Sequence, residues 1–121
     1  MANPRQKLGD FGEDAAAAHL AKLGYRHIAR KWRCQHGEID LIMRDGQEFV
    51  FVEVRTRRGV GSPSESIGIA KQQRLATLAY TFLRDTNAPE EQPWRIDVVA
   101  INIGWDGRIA RLEHIRHAVE G

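Results

Sequence analysis

Two short runs put charge where a core is expected. Gly37-Glu38-Ile39-Asp40-Leu41-Ile42-Met43 and Phe49-Val50-Phe51-Val52-Glu53-Val54-Arg55 are apolar stretches interrupted by acids and one arginine, and Asp45-Gly46 lies between them. Asp-Gly between alternating apolar residues is a strong hairpin signal. With those two residues as the loop, Ile39 faces Val52 and Leu41 faces Val50. One face is then apolar and the other carries Glu38, Asp40, Glu53 and Arg55. Glu38 falls opposite Glu53, and Asp40 lies diagonal to it. Carboxylates roughly 5 Å apart repel by about 3 kcal/mol at an effective dielectric near 20. That is a large share of a total stability of about 5–15 kcal/mol. A cation, a shared proton or Arg55 folding back would each relieve it. A hard dication between Asp40 and Glu53, completed by carbonyl oxygen and water, matches the preferences of Mg²⁺.

Other charged residues sit near this hairpin by pattern. Glu13 shares a helical face with Ala16, Ala17 and Leu20, so it leans toward the apolar side, though a first-turn acid is also favoured by the helix dipole alone. Lys71 precedes Leu75 by one helical turn, on the stripe Leu75, Leu78 and Phe82. It points at the sheet unless its stem snorkels the ammonium to water. Asp97, inside the run Ile96-Asp97-Val98-Val99-Ala100-Ile101, is read as the partner of an inward base, Arg55 or Lys71. His114 and His117 have metal-pair spacing but no third ligand nearby, and are set aside.

The elements that position these groups follow from punctuation and periodicity. Asn3-Pro4 is an N-cap with a first-turn proline and Gly24 a stop, giving a helix over roughly residues 5–23. Gly9 and Gly12 are costly inside it, which points to close approach of a backbone or ligand, or to a frayed first turn. Tyr25 to Arg33 is a partly exposed strand. Arg57 to Ser64 is a loop, Ser64 or Ser66 caps a second helix to about Asp85, and Thr86 to Pro93 is a loop. The run at Ile96 is a buried strand, parallel to its predecessor through the helical crossover. Trp105-Asp106-Gly107 turns into an edge strand from Ile109 to Ile115.

The chain has 121 residues, 42% hydrophobic and 28% charged, which suits one domain over residues 1–121. No run reaches the length of a membrane span, the N-terminus lacks a signal-peptide core, and Cys34 is the one cysteine. These features point to the cytoplasm. Net charge is +2 with a pI near 9.0. The basic residues Arg30, Lys31 and Arg33, with Arg57 and Arg58, are placed to hold a nucleic-acid backbone, although surface cations also serve solubility.

Five motifs occur in order: Gly12-Glu13, Gly37-Glu38-Ile39-Asp40-Leu41, Phe51-Val52-Glu53-Val54-Arg55-Thr56-Arg57, Lys71-Gln72-Gln73-Arg74-Leu75 and Arg95-Ile96-Asp97-Val98-Val99. Together they resemble the YraN-like family of uncharacterised bacterial proteins, from about residue 6 to the last strand. That family is similar to Holliday-junction resolvases and other restriction-endonuclease-like nucleases. The resemblance implies an α/β fold, a mixed sheet of about five strands in the order α-β-β-β-α-β-β flanked by helices. It implies metal ligands at Asp40 and Glu53 in preference to Glu38, a first-helix acid at Glu13, and Mg²⁺ or Mn²⁺ as cofactor. It implies DNA as substrate, branched or structured, with a homodimer if junctions are cut. The lysine usual two residues after the Glu is here Arg55. Arginine does not give up its proton, so Arg55 is a group for orienting water or stabilising charge, and Lys71 becomes the candidate for the lysine's place. The alternatives are a nucleic-acid-binding module without catalysis, and a protein-interaction domain using Trp32, Trp94 and Trp105.

Overall fold

A computed structural model describes residues 3–59 and 67–119. The elements are α1 (Pro4–Lys22), β1 (Arg26–Cys34), β2 (Gly37–Asp45), β3 (Glu48–Arg58), α2 (Ile69–Asp85), β4 (Trp94–Ile103) and β5 (Ile109–Ile115). They build one sheet in the order β1-β2-β3-β4-β5. Only β3 and β4 are parallel; the other neighbours are antiparallel. This is the α/β architecture and element order expected of a restriction-endonuclease-like fold. No helix among the described residues is long and apolar enough to cross a membrane.

The start of α1 is fixed by a capping box. Asn3 Oδ1 accepts from the Gln6 N–H at 2.9 Å, and Gln6 Oε1 accepts from the Asn3 N–H at 3.1 Å. Close approach is the reason for Gly12. A Cβ there would lie 1.8 Å from Thr56 Oγ1, so only glycine lets α1 rest on β3. No such neighbour exists at Gly9.

The sheet separates two cores. Toward α1, Leu41, Met43, Val50, Val52, Val99 and Ile101 pack with Ala16 and Leu20. Toward α2, Ile42, Phe51 and Ile96 pack with Leu75, Leu78 and Phe82. Burying each large side chain contributes about 1.5–3 kcal/mol. Trp32 and Trp94 join the α2 core, edge-on to Phe82 and Phe51 at centroid distances of 5.5 and 5.9 Å. Two of the three tryptophans proposed as a contact surface are thus partly buried against the core. The α2 helix begins at Ile69 after Gly68, which gives no side-chain cap. The proposed caps Ser64 and Ser66 lie outside the described residues.

The hairpin register differs from expectation. Leu41 pairs with Val52 and Asp45 with Glu48, so Gly46 and Gln47 form the loop. Gly46 takes the left-handed backbone at φ 60°, while Asp45 stays in the strand, its carboxylate 3.2 Å from Arg95 Nη1. A two-residue shift preserves which residues share a face, so the expected faces survive except at the start of β2. Ile39 packs toward α2 instead of joining Leu41.

Candidate metal centre

That exception locates the centre. On β1, Arg30 pairs with Leu41 and Trp32 with Ile39, which sets Lys31 across from Asp40. Lys31 has φ 53°, left-handed backbone inside a strand. Such a conformation costs of order 1–3 kcal/mol for a residue with a Cβ. Alternation breaks at this point on both strands. Beyond it Trp32 and Ile39 turn to the α2 core, whereas Leu41 faces α1. The Asp40 side chain leaves the regular pattern, and its Oδ2 accepts from the Val54 N–H of β3 at 2.8 Å.

Asp40 thereby meets Glu13 of α1 and Glu38 of its own strand. One carboxylate oxygen from each lies within 4.8 Å of the others. Burial, then the Glu53 carboxylate, pushes Asp40 up to about 7, with smaller contributions from Glu13 and Glu38, against the opposing Val54 N–H bond. The repulsion expected from the sequence is therefore present, but the partners differ. Glu38 belongs to the cluster and does not face Glu53. Glu53 is half-buried and ion-paired, with Lys71 Nζ 3.1 Å from its Oε1. Lys71 does reach the sheet, to an acid of the site.

Three basic residues of β1 are ion-paired with acids. Arg30 Nε lies 3.1 Å from Glu13, and its Nη1 bonds Asp14. Lys31 Nζ lies 3.0 Å from both Asp10 and Glu13. The Asp14 bond foremost raises the Arg30 pKa, and the Asp10 bond foremost that of Lys31. Arg33 Nε is 2.7 Å from Glu38. Neighbouring strand side chains normally point to opposite faces, and the turned backbone at Lys31 is what lets Arg30 and Lys31 share Glu13. Arg30, Lys31 and Arg33 are thus ion-paired with acids in and beside the cluster, Lys31 and Arg33 while still exposed. Arg57 and Arg58 are exposed at the end of β3.

Beside the cluster, Glu53, Arg55 and Lys71 line a cavity of about 260 Å³ with Ile67 and Gly68. The N-terminus of α2 opens there, without a side-chain cap or an acid in its first turn. The positive end of the helix dipole and two cations make an electropositive wall next to the acids.

The donor set suits a hard dication. It is all carboxylate oxygen, it is crowded, and one member is held near neutrality by burial and then by its acidic neighbours. Among the described residues this is the only group of three acid, His or Cys side chains gathered closely enough for a metal.

Asp97 has partners other than those expected. It is fully buried, bonded by Arg95 Nε at 3.0 Å, His114 Nε2 at 2.8 Å and the His117 N–H at 3.1 Å. Burial pushes its pKa up, but the bonds from His114 and Arg95 outweigh it, and the net shift is downward. Arg95 also bonds the Tyr25 hydroxyl at 2.7 Å, Asp45 and Glu48. The Arg95-x-Asp97 spacing, which puts both on one strand face, was the signal for this network. The contribution of Glu38 to the acid cluster had no such signal, because it depends on the break at Lys31 and Asp40.

The sequence model of the uncharacterised protein family UPF0102, which is the YraN family, matches residues 12–101. A UPF0102 protein of Roseiflexus castenholzii is 52% identical, covering 99% of this chain and 98% of its own. One from Chloroflexus aurantiacus is 50% identical, covering 98% of each. Among solved structures, Pyrococcus furiosus SfsA in complex with Ca²⁺ is similar at a TM-score of 0.41 and 14% identity, and the match spans 96% of this chain and 65% of that one. A likeness that loose carries no argument.

Proposed function

We propose that this chain, which belongs to the uncharacterised protein family UPF0102, is a metal-dependent nuclease that hydrolyses phosphodiesters in DNA, branched or structured DNA included. The observation that carries the reading is Asp40. It is a buried acid held up to about 7 beside Glu13, Glu38 and Glu53, a local instability that a dication would reverse. Asp40 with Glu13 and Glu38 would hold Mg²⁺ or Mn²⁺, and Glu53 could join them by leaving Lys71. The metal, when bound, supplies neutralisation of the scissile phosphate and a more acidic water.

The protein's own groups do the rest. Arg55 and Lys71, with the N-terminus of α2, bind and orient the phosphate in the cavity they line. An arginine is not a base, so the role open to Arg55 is to stabilise charge. Lys71, which holds Glu53, takes the place of the missing lysine. If Lys71→Ala leaves cleavage intact while Arg55→Ala abolishes it, that role for Lys71 falls. Cutting a four-way junction needs two sites, hence a homodimer. A cytoplasmic setting fits, with Cys34 a free thiol.

The test is a cleavage screen over linear, single-stranded and four-way DNA with Mg²⁺ and Mn²⁺, wild type beside Asp40→Asn and Glu53→Ala. The expected result is metal-dependent cutting that both variants lose by at least about a hundredfold. Binding of DNA with a steep salt dependence but no cutting under any of these conditions selects a second reading, a binding module of the same fold. Arg55 at the usual lysine position is the feature that favours it.

A further inference from the structure

Trp105 is the tryptophan that the core does not absorb. It is 80% exposed, on the turn between β4 and β5, while Trp32 and Trp94 pack beneath α2. Its ring is nonetheless held. The indole lies against Gly59 at the end of β3, where a Cβ would come within 3.2 Å of Cζ2, and Gly59 has φ 92°. The turn is closed by Asp106, whose Oδ1 accepts from the Arg108 N–H at 3.0 Å. An aromatic ring is thus fixed at one edge and open over the rest.

A groove of about 300 Å³ reaches Gly107 in the same turn; Pro4, Leu8, Phe11 and Ile103 give it an apolar wall, with Lys7 and Arg58 beside them. Phe11 is 42% exposed. Lys7 and Arg58 line the groove itself. Protein interfaces keep charge out of their centres and are poor in lysine, whereas aromatic faces among cations suit bases stacked along a phosphate backbone.

We propose that Trp105 and Phe11, with Lys7 and Arg58, form a platform that stacks the unpaired bases of a nucleic-acid strand leaving the candidate metal centre. The proposal rests on the reading of that centre as one that handles nucleic acid, and it names the substrate class as DNA with a single-stranded segment. α1 joins the two places: Lys7 and Phe11 line the groove, and Glu13, two residues beyond Phe11, belongs to the acid cluster.

The test is binding without divalent metal, by fluorescence anisotropy and by tryptophan emission. The probes are an oligothymidylate and a blunt duplex, each of about fifteen nucleotides per strand. Oligothymidylate quenches wild-type emission, and the quench disappears in Trp105→Phe while the affinity persists. Trp105→Ala binds oligothymidylate about tenfold more weakly, with duplex affinity and Mn²⁺ affinity changed less than about twofold. If Trp105→Ala matches wild type on oligothymidylate while wild type binds or cuts DNA, the platform is wrong and the nuclease reading stands. If wild type binds no nucleic acid, both fall. If sedimentation shows a dimer that Trp105→Ala dissolves, with oligothymidylate binding unchanged, Trp105 is a subunit contact and the platform is overturned.

Discussion

Asp97 and Asp40 are both acids set into strands of one sheet, and they have opposite fates. Asp97 is surrounded by donors. Arg95, His114 and a backbone N–H meet its oxygens, and its pKa is held below the usual carboxylate range. Asp40 receives one backbone N–H and otherwise faces acids, and it is pushed up to about 7. The bases near Asp40 are spent on its neighbours, Arg30 and Lys31 on Glu13, Arg33 on Glu38 and Lys71 on Glu53. A network that satisfies every member is a structural device. One that leaves its central acid short of a counter-charge is a candidate functional site. Burial alone does not separate the two cases; the sign of the surroundings does.

The largest expected effect breaks the satisfied side. Asp97→Asn leaves the Arg95 guanidinium buried without its main counter-charge, and about 3–5 kcal/mol of stability is lost. Urea unfolding followed by circular dichroism measures it. A loss below about 1 kcal/mol would mean that Asp45 and Glu48 suffice for Arg95, and the contrast with Asp40 would weaken.

The opposite sign is expected at Asp40. Its folded pKa is raised from 3.8 to about 7, so between those values the native state binds more protons than the unfolded chain. Stability from this group is full below about pH 4 and falls as pH rises toward 7, with a slope of up to about 1.4 kcal/mol per pH unit. Asp40→Asn removes that slope and gains on the order of 1–2 kcal/mol at pH 8, while it loses metal binding. Saturating Mn²⁺ removes the slope in the wild type too, because metal takes the proton's place. Thermal melts from pH 4.5 to 8, with and without Mn²⁺, test this. A wild-type slope unchanged by Mn²⁺ would separate Asp40 from any metal.

Much of this contrast could be read from the chain, for reasons that differ by residue. Helix caps, the Asp-Gly turn and the two-residue alternation of β2 and β3 are local, and they gave the order of elements and the two faces. Glu13 followed from helical spacing. The register missed by two because Asp45 is kept in the strand by Arg95, fifty residues away in sequence, and no turn preference carries that information. Asp97 takes Arg95, two residues off on the same strand face, as its base in place of the expected Arg55 or Lys71. Glu38 was set aside because the break in alternation at Lys31 and Asp40 comes from two strands together. Strict alternation, applied to either alone, puts Ile39 on the wrong side and hides which acids converge.

That break gives the smallest and most local test. Lys31 takes a left-handed backbone at φ 53° while holding Asp10 and Glu13. Lys31→Ala and Lys31→Gly delete the same ammonium, but only glycine adopts that conformation without cost. If the turned backbone at Lys31 is what directs Asp40 into the cluster, glycine tolerates it and alanine strains against it. Lys31→Gly is then expected to be about 1 kcal/mol more stable than Lys31→Ala, the reverse of their order in an ordinary strand. Both variants should bind Mn²⁺ at least as tightly as wild type, since Glu13 loses one of its two competing cations and keeps Arg30. Alanine more stable than glycine would mean that the strand relaxes to regular alternation once the lysine's ion pairs are gone. The geometry that sets Asp40 apart from Asp97 would then be made by those ion pairs and not by the backbone.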